Sequence, residues 1–141
     1  MRVRVIAVGT RMPPWVRTAC DEYLTRLRGS LTIALKEIPP ASRRAGGAPR
    51  ALAREGECLL GGREFSTQEF AAWLAARMQQ GEDLAFLIGG PDGLAAPVLA
   101  RSHFRLSLSR LTLPHALARV LLTEQLYRAH CILANHPYHR D

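Results

Sequence analysis

The order of elements legible in this 141-residue sequence predicts an α/β fold, a mostly parallel sheet with helices on both faces. Three observations carry that expectation. Short apolar runs of strand character alternate along the chain with stretches in which apolar residues recur at helical spacing. The run LAFLI at 84–88 is apolar at every position, the pattern of a strand buried on both faces of a parallel sheet. The length suits one domain, which at this size buries roughly two thirds of the unfolded surface.

Each element follows from its residues. Val3, Val5 and Ala7 alternate with Arg2, Arg4 and Ile6 until Gly9-Thr10 and Pro13-Pro14 close the run, so the first strand feeds a loop. Trp15, Ala19, Tyr23 and Leu27 then recur at every fourth position beside Val16, Cys20 and Leu24, with Arg17, Asp21, Arg26 and Arg28 facing away; this is an amphipathic helix. Leu31 to Ile38 reads as a second strand. Pro39 to Pro49 is aperiodic and rich in Pro, Ser, Gly and Arg, so it reads as an exposed loop whose Arg43 and Arg44 either touch nucleic acid or are simply solvated. Pro49 at a helix start, followed by Ala51, Leu52, Ala53, Cys58 and Leu59, predicts a second helix running to about Leu60. Ser66-Thr67-Gln68-Glu69 is a Ser-x-x-Glu capping box that opens a third helix through Phe70, Trp73, Leu74 and Met78, which Gly81 ends. The buried strand at 84–88 runs into Gly89-Gly90-Pro91-Asp92-Gly93, and a further helix-like stretch leads to a strand from Phe104 to Ser109. The turn Arg110 to Pro114 then opens a long final helix from His115 to about Ala134.

Composition narrows the function. Lys and Arg number 19 against 12 Asp and Glu, a net charge of +7, and every one of these cations except Lys36 is Arg. A planar, always-charged guanidinium suits phosphate and stacks on bases, so a polyanionic partner is expected; an Arg-for-Lys bias of the genome is the other source of the Arg excess. Even Leu111 to Ala134 is interrupted by Arg119, Glu124 and Arg128, short of the ~18 uninterrupted apolar residues of a membrane span. The start alternates and stops at Gly9 instead of running on as a signal peptide, so a cytoplasmic protein without a membrane partner is expected. Cys20, Cys58 and Cys131 have neither disulfide-framework nor zinc-ligand spacing and read as reduced core residues.

Three places are candidates for chemistry. The glycine-rich turn 89–93 follows a buried strand at the carboxyl edge of the sheet, where open α/β folds bind ligands, although a plain tight turn has the same composition. It matches neither the P-loop nor the G-x-G-x-x-G fingerprint, so phosphate or NAD has no specific support. The second turn, Ser109 to Pro114, offers exposed backbone to an adenine edge with Leu111 and Leu113 to cover the ring. The helix after it is apolar on most faces, through Leu117, Val120, Leu121, Leu122, Leu126, Ile132 and Leu133, so it is buried in the domain or against another subunit. Its Glu124 and Arg128 stand at i and i+4, either as an ordinary helical ion pair or with a functional Arg. The tail Asn135-His136-Pro137-Tyr138-His139-Arg140-Asp141 concentrates imidazole, phenol and guanidinium in a segment too short for a core element; a lid over a nucleobase accounts for that composition better than a frayed end. Pro137 prevents helical alignment of His136 and His139 and no third ligand is evident, so no metal is expected.

Taken together the sequence resembles the ribosomal RNA large-subunit methyltransferase H family of the SPOUT class. The resemblance lies in V-x-A-V-G-T-R-M-P-x-W-V from Val5, L-I-G-G-P-D-G-L at 87–94, L-T-L-P-H at 111–115, L-Y-R-A at 126–129 and N-H-P-Y-H-R at 135–140, and it covers nearly the whole chain. It implies a C-terminal trefoil knot, which sequence physics alone argues against. It also implies S-adenosylmethionine as methyl donor, a homodimer, and methylation at N3 of a pseudouridine in 23S ribosomal RNA within the assembled ribosome. By the same resemblance Gly90 and Ser109, Arg110, Leu111, Thr112, Leu113 and Pro114 are the cofactor positions, and Tyr138, His139, Arg140 and Arg128 the acceptor side. A base such as His139, or stabilisation of the developing ring anion by Arg140 or Arg128, lowers the barrier; Arg stabilisation with Tyr138 against the base is the favoured form.

One departure from the family pattern stands out. Leu60 is followed at once by Gly61-Gly62-Arg63, where the family usually carries a strand with its turns, so residues 1–141 read as a single SPOUT domain with a strand missing between Leu60 and Gly61. An omitted segment there predicts Cα atoms of Leu60 and Gly61 well beyond the ~3.8 Å of a bonded pair, and a normal link there favours a shortened variant. The alternative function is a ribosome- or RNA-binding protein of the same fold without catalysis.

Overall fold

The computed structural model describes residues 2–29, 31–38, 57–89, 100 and 102–139. The second helix expected before residue 57, the loop with Arg43 and Arg44, nearly all of the helix-like stretch after 93, and the site positions Gly90 and Arg140 lie outside these residues.

Five strands form one sheet in the order β2-β1-β4-β3-β5: β1 Arg2–Val8, β2 Thr32–Ile38, β3 Glu57–Glu64, β4 Leu84–Ile88 and β5 Arg105–Ser107. Every pairing is parallel, so all carboxyl ends share one edge. β1 is central to the well-paired half, with Val5 opposite Leu35 on one side and Phe86 on the other. All five residues of β4 are buried, as the unbroken apolar run requires.

Three helices are described: α1 Pro14–Leu27, α2 Thr67–Gln79 and α3 His115–Leu133. Val3, Val5 and Ala7 of β1 and Leu84, Phe86 and Ile88 of β4 share one core with Leu27, Phe70, Leu74, Leu122 and Leu126 from all three helices. Ile6, Ala85 and Leu87 form a second buried cluster, as side-chain alternation along β1 and β4 demands. The helix starts follow local chemistry. Pro14 occupies the first helical position of α1, and at α2 the Ser66 hydroxyl accepts from Glu69 N (3.1 Å) while Ser66 N donates to the Glu69 carboxylate (2.8 Å). Gly81, at φ +68°, ends α2 as expected.

Two expectations change. Residues 57–60 belong to a strand, not to the end of a helix, and β3 runs through Leu60 and Gly61 as one element. The physical reason is the sheet itself: the edge of β4 turned away from β1 carries backbone groups that need partners, and β3 supplies them between β4 and β5. The fit is compressed. Cys58 and Arg63 both register with Leu106, and a Cβ on Gly62 would lie 2.7 Å from the Arg105 carbonyl oxygen, so only glycine passes there. The second change is smaller: the strand expected over Phe104 to Ser109 contracts to Arg105–Ser107.

Candidate functional site

α3 organises the carboxyl edge because it carries one buried charge. Arg119, 2% exposed, donates to Glu37 Oε2 at the end of β2 (2.8 Å) and to the Gly9 carbonyl just past β1 (3.1 Å). Gly9 holds φ +123° and its own N–H donates to the Ile38 carbonyl at 2.7 Å. The helix is thereby pinned to two adjacent strand ends.

The turn after β5 is built by its serines. Ser107 Oγ donates to the Ser109 carbonyl (2.9 Å), and Ser109 Oγ accepts from Leu111 N (2.9 Å). The N–H groups of Arg110, Thr112 and Leu113 take no part in those bonds, Leu111 stands 73% exposed, and Leu113 is half-buried. Beside the turn opens a cleft of about 210 Å³, with Phe65, Phe70 and Leu108 as apolar walls and Thr67, Ser107 and Gln125 as polar ones. β3 lies between β4 and β5, so the two expected turns leave the same edge of the sheet one strand apart. The site positions 109–114 are thus brought together at this edge.

The tail folds back on α3. Asn135, at φ +55°, caps the helix in the left-handed region, and His136 N donates to the Cys131 carbonyl (2.8 Å) in the reversal that closes such a helix end. Tyr138 lands edge-on against Tyr127, ring centres 4.6 Å apart, and the Arg128 guanidinium lies 4.8 Å from the Tyr138 ring centre. The Tyr138 hydroxyl donates to Glu124 Oε1 (3.0 Å), to which Arg128 also donates from Nε (2.9 Å) and Nη2 (2.8 Å). Arg128 Nη1 lies 3.3 Å from His139 Nδ1, and Gln68 Nε2 lies 3.4 Å from His139 Nε2. Arg128 can only donate, so His139 Nδ1 accepts from it; the ring hydrogen is then on Nε2, and the Gln68 amide bonds to it only when turned to present its oxygen there. Of the four acceptor-side residues, Arg128, Tyr138 and His139 therefore form one cluster. Sequence reasoning missed Gln68, which was visible only as a member of the capping box, and treated Glu124 as a partner of Arg128 alone.

Electrostatics follow from this packing. Burial and the bond to Glu124 push the Tyr138 phenol well above its ordinary value. Burial opposes the charge of Arg128, but the bonds and charge of Glu124 outweigh it and hold the guanidinium above its usual range. Neither group gives up its proton near neutrality. His136 Nδ1 is used by Tyr138 N (3.2 Å), and among the described residues no group of three His, Cys, Asp or Glu is arranged to hold a metal ion.

The profile described as "Predicted SPOUT methyltransferase" matches residues 1–139. The chain is 46% identical to the ribosomal RNA large subunit methyltransferase H of Chromohalobacter salexigens, over 99% of this chain and 100% of that one. The chain belongs to this SPOUT methyltransferase family. The protein of the same name from Thiobacillus denitrificans is 45% identical over 100% of both chains. Solved structures agree on the SPOUT fold: a probable methylase family protein of Haemophilus influenzae has TM-score 0.60 at 16% identity, over 99% of this chain and 70% of that one. A methylase family protein of Neisseria gonorrhoeae has TM-score 0.55 at 16% identity, over 90% and 82% respectively. Among the described residues no helix is long and apolar enough to cross a membrane.

Proposed function

We propose that this chain is a ribosomal RNA methyltransferase of the SPOUT class that uses S-adenosylmethionine to methylate N3 of a pseudouridine in 23S ribosomal RNA within the assembled ribosome. The family membership carries the activity, and full-length relatives named as methyltransferases count against a purely RNA-binding role. The observation that supports the donor site is the turn after β5. Its serines shape the backbone, its exposed Leu111 suits a purine face, and the adjoining cleft offers hydroxyl and amide groups to the rest of a nucleoside. These residues fit the cofactor, with Gly90, two positions after Ile88 in the sequence, as the further position the family pattern assigns.

When bound, S-adenosylmethionine supplies an activated methyl on a sulfonium and a thioether leaving group. The protein's work is then orientation of N3 and accommodation of the charge that develops as its proton is lost. Tyr138 keeps its proton and acts as a hydrogen-bond donor and stacking surface, not as a base. His139 spends its Nδ1 lone pair on Arg128, which counts against it as the general base. Arg128 orients the tail from its pair with Glu124, and Arg140 is the residue assigned to meet the charge on the ring.

The partly apolar α3 supports a homodimer, the ribosomal RNA substrate in the relatives' name supports action in the cytoplasm, and the +7 charge supports the ribosome as partner. The departure from the family pattern falls within β3. The alignment to the Chromohalobacter relative runs over 155 positions against the 141 residues here, and the register of β3 jumps between Cys58 and Arg63. A tryptic peptide Glu55–Arg63 sequenced by mass spectrometry checks the direct Leu60–Gly61 link; a longer peptide would restore the omitted segment. Methyl transfer from labelled donor into ribosomes lacking the modification tests the function. Label is expected at one 23S pseudouridine, and salt-sensitive ribosome binding without transfer would favour the non-catalytic alternative.

A further inference from the structure

Side chains from α3 and the tail converge on one carboxylate, which α2 reaches through Gln125. Glu124 Oε1 accepts from the Tyr138 hydroxyl (3.0 Å) and Arg128 Nε (2.9 Å), and Oε2 accepts from Gln125 Nε2 (2.7 Å). Gln125 Oε1 in turn accepts from Thr67 Oγ1 at 3.0 Å. Thr67 and Gln125 both line the cleft beside the β5 turn, whereas Arg128 and Tyr138 belong to the acceptor cluster. One run of hydrogen bonds therefore spans both halves of the site, and its centre is only 14% exposed.

An i,i+4 Glu–Arg pair on a solvated helix face contributes little, because water screens it and both side chains stay mobile. Glu124 differs in two respects. It is mostly withdrawn from water, and its other two partners come from outside that pair. Without the carboxylate the Tyr138 hydroxyl would keep Tyr23 as its partner and could turn towards it, and the guanidinium could rotate on its stem. With it, donor directions on both are fixed before substrate arrives, so less ordering remains for the binding step.

We propose that Glu124 is the positioning residue of the acceptor side, holding the Tyr138 hydroxyl and the Arg128 guanidinium in one orientation that Thr67 and Gln125 tie to the donor cleft. The inference rests on the reading of the tail as the acceptor side. Glu124 does not itself face the reacting atoms and is not a catalytic residue. The raised values of Tyr138 and Arg128 agree with it, since the carboxylate favours the protonated form of each.

The test is a cycle of Glu124→Gln, Tyr138→Phe and the double variant, with methyl transfer to ribosomes and S-adenosylmethionine affinity measured on each. Loss of a charge-assisted bond predicts that Glu124→Gln lowers kcat/KM for ribosomes by about 10- to 100-fold. Donor affinity stays within about twofold, and the melting temperature stays close to that of the unsubstituted protein. In the Tyr138→Phe background the same change has a much smaller effect, because the group it acts through is gone. Glu124→Asp, which keeps the charge, restores part of the rate, and it carries the same cycle if Glu124→Gln does not fold. Unchanged transfer by Glu124→Gln, full additivity with Tyr138→Phe, or a parallel loss of donor affinity overturns the proposal. An unsubstituted protein that transfers no methyl overturns the functional reading instead, so the two failures are distinct.

Discussion

Leu111 offers the cleanest separation of binding from folding. A leucine with 73% of its surface in water, in the turn after β5, contributes almost nothing to stability. Fully burying a leucine side chain is worth about 1.5–3 kcal/mol, so covering half of what Leu111 still exposes with one face of a purine is worth about 0.5–1 kcal/mol, roughly two- to sixfold in Kd. Leu111→Ala should weaken S-adenosylmethionine binding by that factor in titration calorimetry. Its thermal unfolding should match the parent within about 2 °C, as expected for an exposed substitution. The turn's serine bonds use the Leu111 backbone only and survive the change. Donor affinity within about 1.5-fold of the parent would refute the placement of the adenine on this turn. So would a large loss of stability, which would make Leu111 a packing residue.

Other consequences follow from neighbouring groups. Arg119→Met leaves Glu37 and the Gly9 carbonyl without their partner; Glu37 is 28% exposed and rehydrates in part, so the loss in urea denaturation should be about 2–3 kcal/mol, with some recovery on adding Glu37→Gln. Because the Tyr138 phenol is raised above 10.0, the folded state holds that proton more tightly than the unfolded chain does. Its stabilisation is complete below about pH 10 and declines as pH rises towards the folded value, so Tyr138→Phe should flatten the stability profile above pH 10 in denaturant titrations. Arg140→Ala should abolish methyl transfer to ribosomes while leaving the melting curve unchanged; normal turnover by that variant would remove Arg140 from the mechanism.

How much was legible beforehand depends on whether a feature is local. The buried run at 84–88, the capping box at Ser66 and the strand at the start of the chain appear where their own patterns put them. β3 was not legible, since Gly61-Gly62 weakens any strand pattern and its reason for existing is the unpaired edge of a strand more than twenty residues later. The turn at 109–114 was recognisable from composition, but the serine bonds that shape it depend on the backbone path. The tail's imidazole, phenol and guanidinium groups stood out, whereas the bond from the Tyr138 hydroxyl to Glu124 required the chain reversal at Asn135. Arg119 was visible as a charge interrupting an apolar helix. Its partners at the ends of β1 and β2 are separated from it by 110 and 82 positions, beyond the reach of any local pattern.

A compressed β3 makes donor binding the step on which the account depends most. Calorimetric titration of the purified protein with S-adenosylmethionine addresses it directly. The account predicts a saturable heat that Leu111→Ala weakens and Arg140→Ala leaves intact. No binding by a protein that is folded and still associates with ribosomes would contradict it.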